Sequence, residues 1–217
     1  ENVERKLPVY LLIDTSGSMK GERIAAVEEG LDALLRSLRE NPLATQCVWL
    51  SVITYDLEAK ILVPYSKLEK VGVPDIPTPQ TSPTNLGEAL ELLYERFHEE
   101  FTFTVPNRRG DYKPIAIIMT DGAPSDTQLF KAMAEKIRKE ISWSRVICLA
   151  VGGEARIEPL KKLTDEVYSL ESANAATFAK FWDFASDVIK QQSSRVSAGG
   201  AGVSRDPELP DGIRRVD

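Results

Sequence analysis

Residues 8–19 read Pro8-Val9-Tyr10-Leu11-Leu12-Ile13-Asp14-Thr15-Ser16-Gly17-Ser18-Met19, an unbroken apolar run that stops at a carboxylate and two hydroxyls on alternate positions. Pro8 to Ile13 predicts a strand buried on both faces, because a strand with one wet face would alternate apolar with polar. Asp14 then falls at the carboxyl end of that strand, where open α/β sheets bind their ligands. Gly17 allows the turn that brings Asp14, Ser16 and Ser18 together. A compact group of hard oxygen atoms suits Mg²⁺ rather than zinc.

Two later segments share this character. Ile117-Ile118-Met119-Thr120-Asp121-Gly122 is a second apolar run ending in a carboxylate, and Pro83-Thr84-Asn85-Leu86-Gly87-Glu88-Ala89-Leu90 sets a threonine at the opening of a helix. In order and local context, Asp14-x-Ser16-x-Ser18, Thr84 and Thr120-Asp121-Gly122 resemble the metal-ion-dependent adhesion site of von Willebrand factor A domains. The resemblance implies an α/β, doubly wound, Rossmann-like fold: a mostly parallel six-stranded sheet with one antiparallel edge strand and helices on both faces. It also implies that Asp14, Ser16, Ser18, Thr84 and Asp121 hold Mg²⁺, with Mn²⁺ and Ca²⁺ as alternatives, directly or through water. A carboxylate from a partner protein then completes the coordination. The electrostatics agree, since two close carboxylates repel unless a cation lies between them. Singly, each residue has a plainer reading: Asp14 and Asp121-Gly122 as turn formers, Ser16, Ser18 and Thr84 as helix caps. Only the conjunction favours one shared site.

The intervening chain fits this layout. Ile24, Val27, Leu31, Leu34, Leu35 and Leu38 recur at helical spacing over residues 21–39, and Asn41-Pro42 ends that helix. Residues 46–55 and 59–65 predict two strands joined by a turn too short for anything but antiparallel pairing. Residues 66–83 are irregular and rich in proline, and where the family commonly has glycines before its threonine this chain has Ser82-Pro83. Helices are expected over 85–101, over 126–141 with Ser125 as N-cap, over 157–163 and over 175–191. Strands are expected over 114–120, 145–151 and 167–170. The final helix should bury Phe178, Phe181, Trp182, Ala185, Val188 and Ile189. Residues 1–192 therefore form the domain, and 193–217, rich in Ser, Gly, Ala, Pro and charge, read as a flexible C-terminal tail or linker.

The 217-residue chain has 42% hydrophobic residues and a net charge of −6. That balance opposes a nucleic-acid footprint, which needs basic excess. No apolar run approaches the length of a membrane span. Cys47 and Cys148 sit in apolar runs and read as buried free thiols of a reducing compartment. Arg109-Gly110-Asp111 invites an integrin-ligand reading, which is set aside because the tripeptide is common and nothing points to secretion.

No residue pattern suggests catalysis. His98 is the one histidine and stands among Glu95, Glu99 and Glu100, as a solvated helix residue would. No phosphate-binding glycine loop occurs. The alternative of an Mg²⁺-dependent phosphoryl-transfer enzyme needs a second aspartate two positions after Asp14, where Ser16 stands. An accessory subunit of an ATP-driven chelatase or AAA+ machine is a further alternative. Within the family, Lys6 to Met19, Gly21-Glu22, Asn41-Pro42, Leu50 to Tyr55 and Leu62-Val63-Pro64 resemble bacterial TerY-like proteins of the tellurite-resistance group. That resemblance implies a cytoplasmic, non-enzymatic, metal-dependent binding module of a tellurite or chemical stress response, working beside a protein kinase and a protein phosphatase.

Overall fold

The computed structural model describes residues 4–77, 83–152, 157–170, 172–200 and 205–217. Ser82 and its neighbours 78–81 lie outside these. The strands are β1 (Leu7–Asp14), β2 (Val48–Tyr55), β3 (Ala59–Lys67), β4 (Ile115–Thr120), β5 (Arg145–Ala150), β6 (Val167–Leu170) and β7 (Ile213–Arg215). The helices are α1 (Glu22–Arg39), α2 (Pro42–Cys47), α3 (Leu86–Glu100), α4 (Thr127–Glu140), α5 (Ile157–Leu160) and α6 (Ala175–Ser197).

The strands form one sheet in the order β3-β2-β1-β4-β5-β6-β7. β1 pairs in parallel with both β2 and β4, while β3 and β7 run antiparallel at the two edges. All eight residues of β1 are buried, because helices cover both faces. Val9, Leu11 and Ile13 face a core completed by α1 and α6, including Leu31, Phe181 and Trp182. Tyr10 and Leu12 face the other core, built with Leu90 and Leu93 of α3 and Phe130 and Ala134 of α4. The chain leaves β1 toward β2 on one side and returns to β4 on the other. The sheet's topological switch point therefore lies between β1 and β4, and a crevice opens at their carboxyl ends.

Four features differ from expectation. Among the described residues the sheet has seven strands, not six, and two antiparallel edges. Asn41-Pro42 ends α1 but also starts α2: the Asn41 side chain accepts N–H bonds from Leu43 and Ala44 at 3.1 and 3.0 Å, and Pro42 needs no donor at the first helical position. The segment expected to be a flexible tail is partly docked. α6 continues to Ser197, and β7 lies against β6 with Ile213 buried. Finally, α4 begins at Thr127, and neither Ser125 nor Asp126 caps it through a side chain.

Asp111 clarifies the Arg-Gly-Asp string. It is buried, its Oδ1 accepts Lys6 N–H at 3.0 Å and its Oδ2 accepts Thr102 N–H at 2.9 Å. A carboxylate bound this way ties β1 to the loop before β4 and is not presented to a receptor. Both cysteines are free and buried.

Candidate functional site

The parallel register puts Ile13 of β1 opposite Met119 of β4, so Asp14 and Asp121 leave adjacent strands at the same end of the sheet. Asp14 is fully buried. Its Oδ1 accepts the Ser16 N–H at 2.8 Å, closing the tight loop the sequence predicts. Its Oδ2 accepts the Thr120 hydroxyl at 3.1 Å and the Asp121 N–H at 3.3 Å. Ser16 is also buried; its hydroxyl donates to Asp121 Oδ1 at 3.4 Å and lies 3.2 Å from the Ser18 hydroxyl. Ser18 is exposed. The first loop and the β4 end are therefore stitched together by side chains more than a hundred positions apart.

Thr84 reaches the same crest. It is buried, and a Cβ added to Gly122 would stand 3.6 Å from its Oγ1. Its N–H donates to the Ser125 hydroxyl at 2.9 Å, and its carbonyl accepts the Ser125 N–H at 2.9 Å. Asp126 accepts Gly87 N–H at 3.0 Å and Glu88 N–H at 2.8 Å. It thus satisfies orphan donors in the first turn of α3 from a different loop. Gly87 permits that approach, since a Cβ there would meet Phe130 N at 2.5 Å and Asp126 Oδ2 at 2.6 Å. On the other flank, Asn85 N–H donates to Asp56 O at 2.9 Å, anchoring the threonine to the β2–β3 turn.

The structure therefore brings Asp14, Ser16, Ser18, Thr84 and Asp121 into one neighbourhood. It adds three residues the sequence reading did not place there. Ser125 and Asp126 bind the Thr84 segment, and Arg23 sends Nη1 to Asp121 Oδ2 at 3.1 Å and to Ser18 O at 3.4 Å. Arg23 follows Gly21-Glu22 at the start of α1; its only advance signal is a cation one turn beyond the Ser18 loop.

Burial pushes the Asp14 carboxyl up to about 7; the neighbouring Asp121 charge adds to this, while the hydrogen bonds from Ser16 and Asp121 oppose it. Tyr55, whose hydroxyl donates to Met119 O at 2.7 Å beneath the crest, is held protonated by burial first and by the Asp14 charge second. No histidine approaches. His98 is exposed on α3, with Nδ1 2.8 Å from Tyr94 O, and takes no part in the crest.

These contacts correct the cation expectation. Among the described residues, no group of three or more His, Cys, Asp and Glu side chains forms a metal shell. Among the described residues the crest gathers two carboxylates, Asp14 and Asp121. Asp121 already has a counter-charge in Arg23, and both Asp14 oxygens accept hydrogen bonds from the protein itself. Mg²⁺, and with it Mn²⁺ or Ca²⁺, is withdrawn, as is the partner expected to place a carboxylate on that ion. Nothing here ties the chain to a protein kinase or a protein phosphatase. Among the described residues, no helix is long and apolar enough to cross a membrane.

Comparison with known proteins supports the fold from outside. No curated protein sequence matches the chain. Solved structures do. Proximal thread matrix protein 1 of the mussel byssus, in a form with a zinc-occupied MIDAS motif, shares 18% identity over 88% of this chain and 46% of its own, with a TM-score of 0.58. The pilus adhesin SpaC of Lactobacillus rhamnosus GG shares 14% identity over 88% and 31%, with a TM-score of 0.68. The PilB minor pilin of Streptococcus sanguinis shares 12% over 91% and 64%, with a TM-score of 0.64. At such identities the likeness is one of fold, and this chain spans from under a third to just under two thirds of those proteins. A byssus matrix protein and pilus components are extracellular assemblies, so cytoplasmic placement is withdrawn and no compartment takes its place. Residues 9–191 match the von Willebrand factor type A domain. With its switch-point crest and its doubly wound sheet, the chain belongs to the von Willebrand factor type A domain family.

Proposed function

We propose that the chain is a non-enzymatic protein-binding module that presents the crest of Asp14, Ser16, Ser18, Thr84 and Asp121 to a protein partner. One observation carries this reading: the Ser16 hydroxyl and the Asp14 carboxylate both bond to Asp121, at sequence separations of 105 and 107. Side chains so far apart are held rigid at the one end of the sheet where this topology leaves a crevice. The exposed Ser18 hydroxyl and the part-exposed Arg23 guanidinium are the groups a partner would meet first. Their donors suit polar backbone or side-chain acceptors.

The crest hydroxyls have no histidine beside them, and the two carboxylates that they meet are engaged in hydrogen bonds and an ion pair within the protein, which favours binding over catalysis. The wording of residues 6–19 and 50–64 supports a setting in a bacterial tellurite or chemical stress response. A photo-crosslinking residue at position 18 tests the crest. The expected result is a discrete protein adduct from position 18 and none from position 139 on the outer face of α4. The same adduct from both positions, or none from position 18, contradicts it.

A further inference from the structure

We propose a second interaction surface at the opposite end of the sheet: the loop between α3 and β4 is a rigid finger that docks an acidic peptide segment bearing apolar side chains, contributed by a partner protein. The finger comprises Thr102 to Asp111. At its tip, Val105 and Arg108 exchange both backbone hydrogen bonds at 3.0 Å across Pro106-Asn107. Asn107 takes a φ of 68° there, as the third residue of a tight proline turn does. Lower down, the arms press together. Gly110 N–H donates to Thr104 Oγ1 at 2.9 Å, and a Cβ on Gly110 would stand 2.3 Å from Thr102 O. Asp111 ties the root to β1 through Lys6 N–H and to the outgoing arm through Thr102 N–H.

Rigidity matters because of what the finger carries. Residues directly opposite in a hairpin share a face, and alternate residues along an arm share it too. Phe103, Val105 and Arg108 therefore lie on one face. Phe103 is 49% exposed and Val105 46%, uncommon for large apolar side chains on a tightly braced loop. Phe103 is backed by rings, with centroids 4.9 Å from Phe101 and 5.9 Å from buried Phe97, so it is held in place rather than loose.

The charge around this face is one-sided. Arg108, Arg109 and Lys113 are exposed, and among the described residues none of them pairs with a carboxylate. Of the nearby acids, Glu99 is ion-paired with Arg96, Asp111 is buried and bound to backbone N–H groups, and Glu100 accepts the Tyr10 hydroxyl at 3.1 Å, so none of them is directed at these cations. A free basic end on a chain of net charge −6 selects acidic partners by complementarity. An ordered aromatic beside an arginine is the composition of an interface anchor. An anionic bilayer fits less well, since the rest of this acidic protein would be repelled by it.

The test uses the full chain and a fluorescent peptide of repeating Glu-Glu-Leu at low ionic strength, with a Lys-Lys-Leu peptide and phosphatidylserine vesicles as comparators. The expected result is saturable binding of the acidic peptide only, weakened by added salt and weakened about tenfold or more by Phe103→Ser and by Arg108→Glu. Circular dichroism should stay unchanged in both variants, whose side chains are exposed. No binding of the acidic peptide overturns the proposal, as do binding unaffected by both variants and a preference for the vesicles or the basic peptide. The Ser18 crosslink reports on the crest alone, so either reading can fail without the other.

Discussion

Arg23 Nη1 lies 3.1 Å from Asp121 Oδ2, joining the start of α1 to the end of β4 across the crest. The Asp121 side chain is 1% exposed and that of Arg23 33%, so the pair is desolvated on one side only. Removing Arg23 leaves a buried carboxylate without its counter-charge, while solvent reaches the vacated side. Arg23→Met should therefore cost about 1 kcal/mol at neutral pH and less at high salt. A double-mutant cycle with Asp121→Asn, read by urea unfolding, measures the coupling. Additive losses would mean that the contact contributes nothing.

Gly30 and Trp182 set the spacing of the opposite layer. A Cβ on Gly30 would stand 1.8 Å from Trp182 Cδ1, and Trp182 is buried in the core that α1 and α6 build. Gly30→Ala gains helix propensity but forces the helices apart. The loss should be about 1–3 kcal/mol, visible as a lower thermal midpoint and altered indole fluorescence. A neutral or stabilising change would show that α6 can slide.

Ile213 anchors the C-terminal strand. It pairs with Leu170 of β6 and is 4% exposed. Lys180 Nζ adds a bond to Asp211 O at 3.1 Å just before it. Ile213→Ala should cost about 2 kcal/mol, at the low end for a buried isoleucine because the site is a sheet edge. Hydrogen exchange at β6 amides should speed up in the same variant. A flexible linker would show neither effect.

The parts of the fold legible in advance were those with a strong local signal. Pro8–Ile13 and Ile115–Met119 are continuous apolar runs, and only burial on both faces explains such runs. The Asp14-x-Ser16-x-Ser18 loop, Thr84 and Asp121 were legible because each sits at an element boundary that its own neighbours define. β7 was hidden because Ile213-Arg214-Arg215 is short and mostly charged, and its partner strand lies over forty positions away. α2 was hidden because Asn-Pro serves equally to stop one helix and to cap the next. Asp126 looked like the first residue of α4, yet its carboxylate caps α3, a contact set by helix packing rather than by neighbours in the chain. Arg23 escaped for the same reason, and its presence beside Asp121 changes the electrostatic reading of the whole crest.

The pH dependence of Asp14 follows from its surroundings. Its folded carboxyl titrates at about 7 against an ordinary 3.8, through burial first and the Asp121 charge second. A raised folded value means the native state holds a proton that the unfolded chain has released. This contribution to stability is complete below the ordinary value and is lost as pH rises through about 7. Wild type minus Asp14→Asn should therefore show stability falling from acid to neutral pH, with the variant lacking that component.

The most direct measurement is the side-chain carboxyl carbon resonance of Asp14 followed by NMR across the acid-to-neutral range. A midpoint near 7, moving down when Asp121 is replaced by Asn, is what a crest of two close carboxylates predicts. A midpoint in the ordinary aspartate range, indifferent to that replacement, would mean that the two strand ends do not share one buried site.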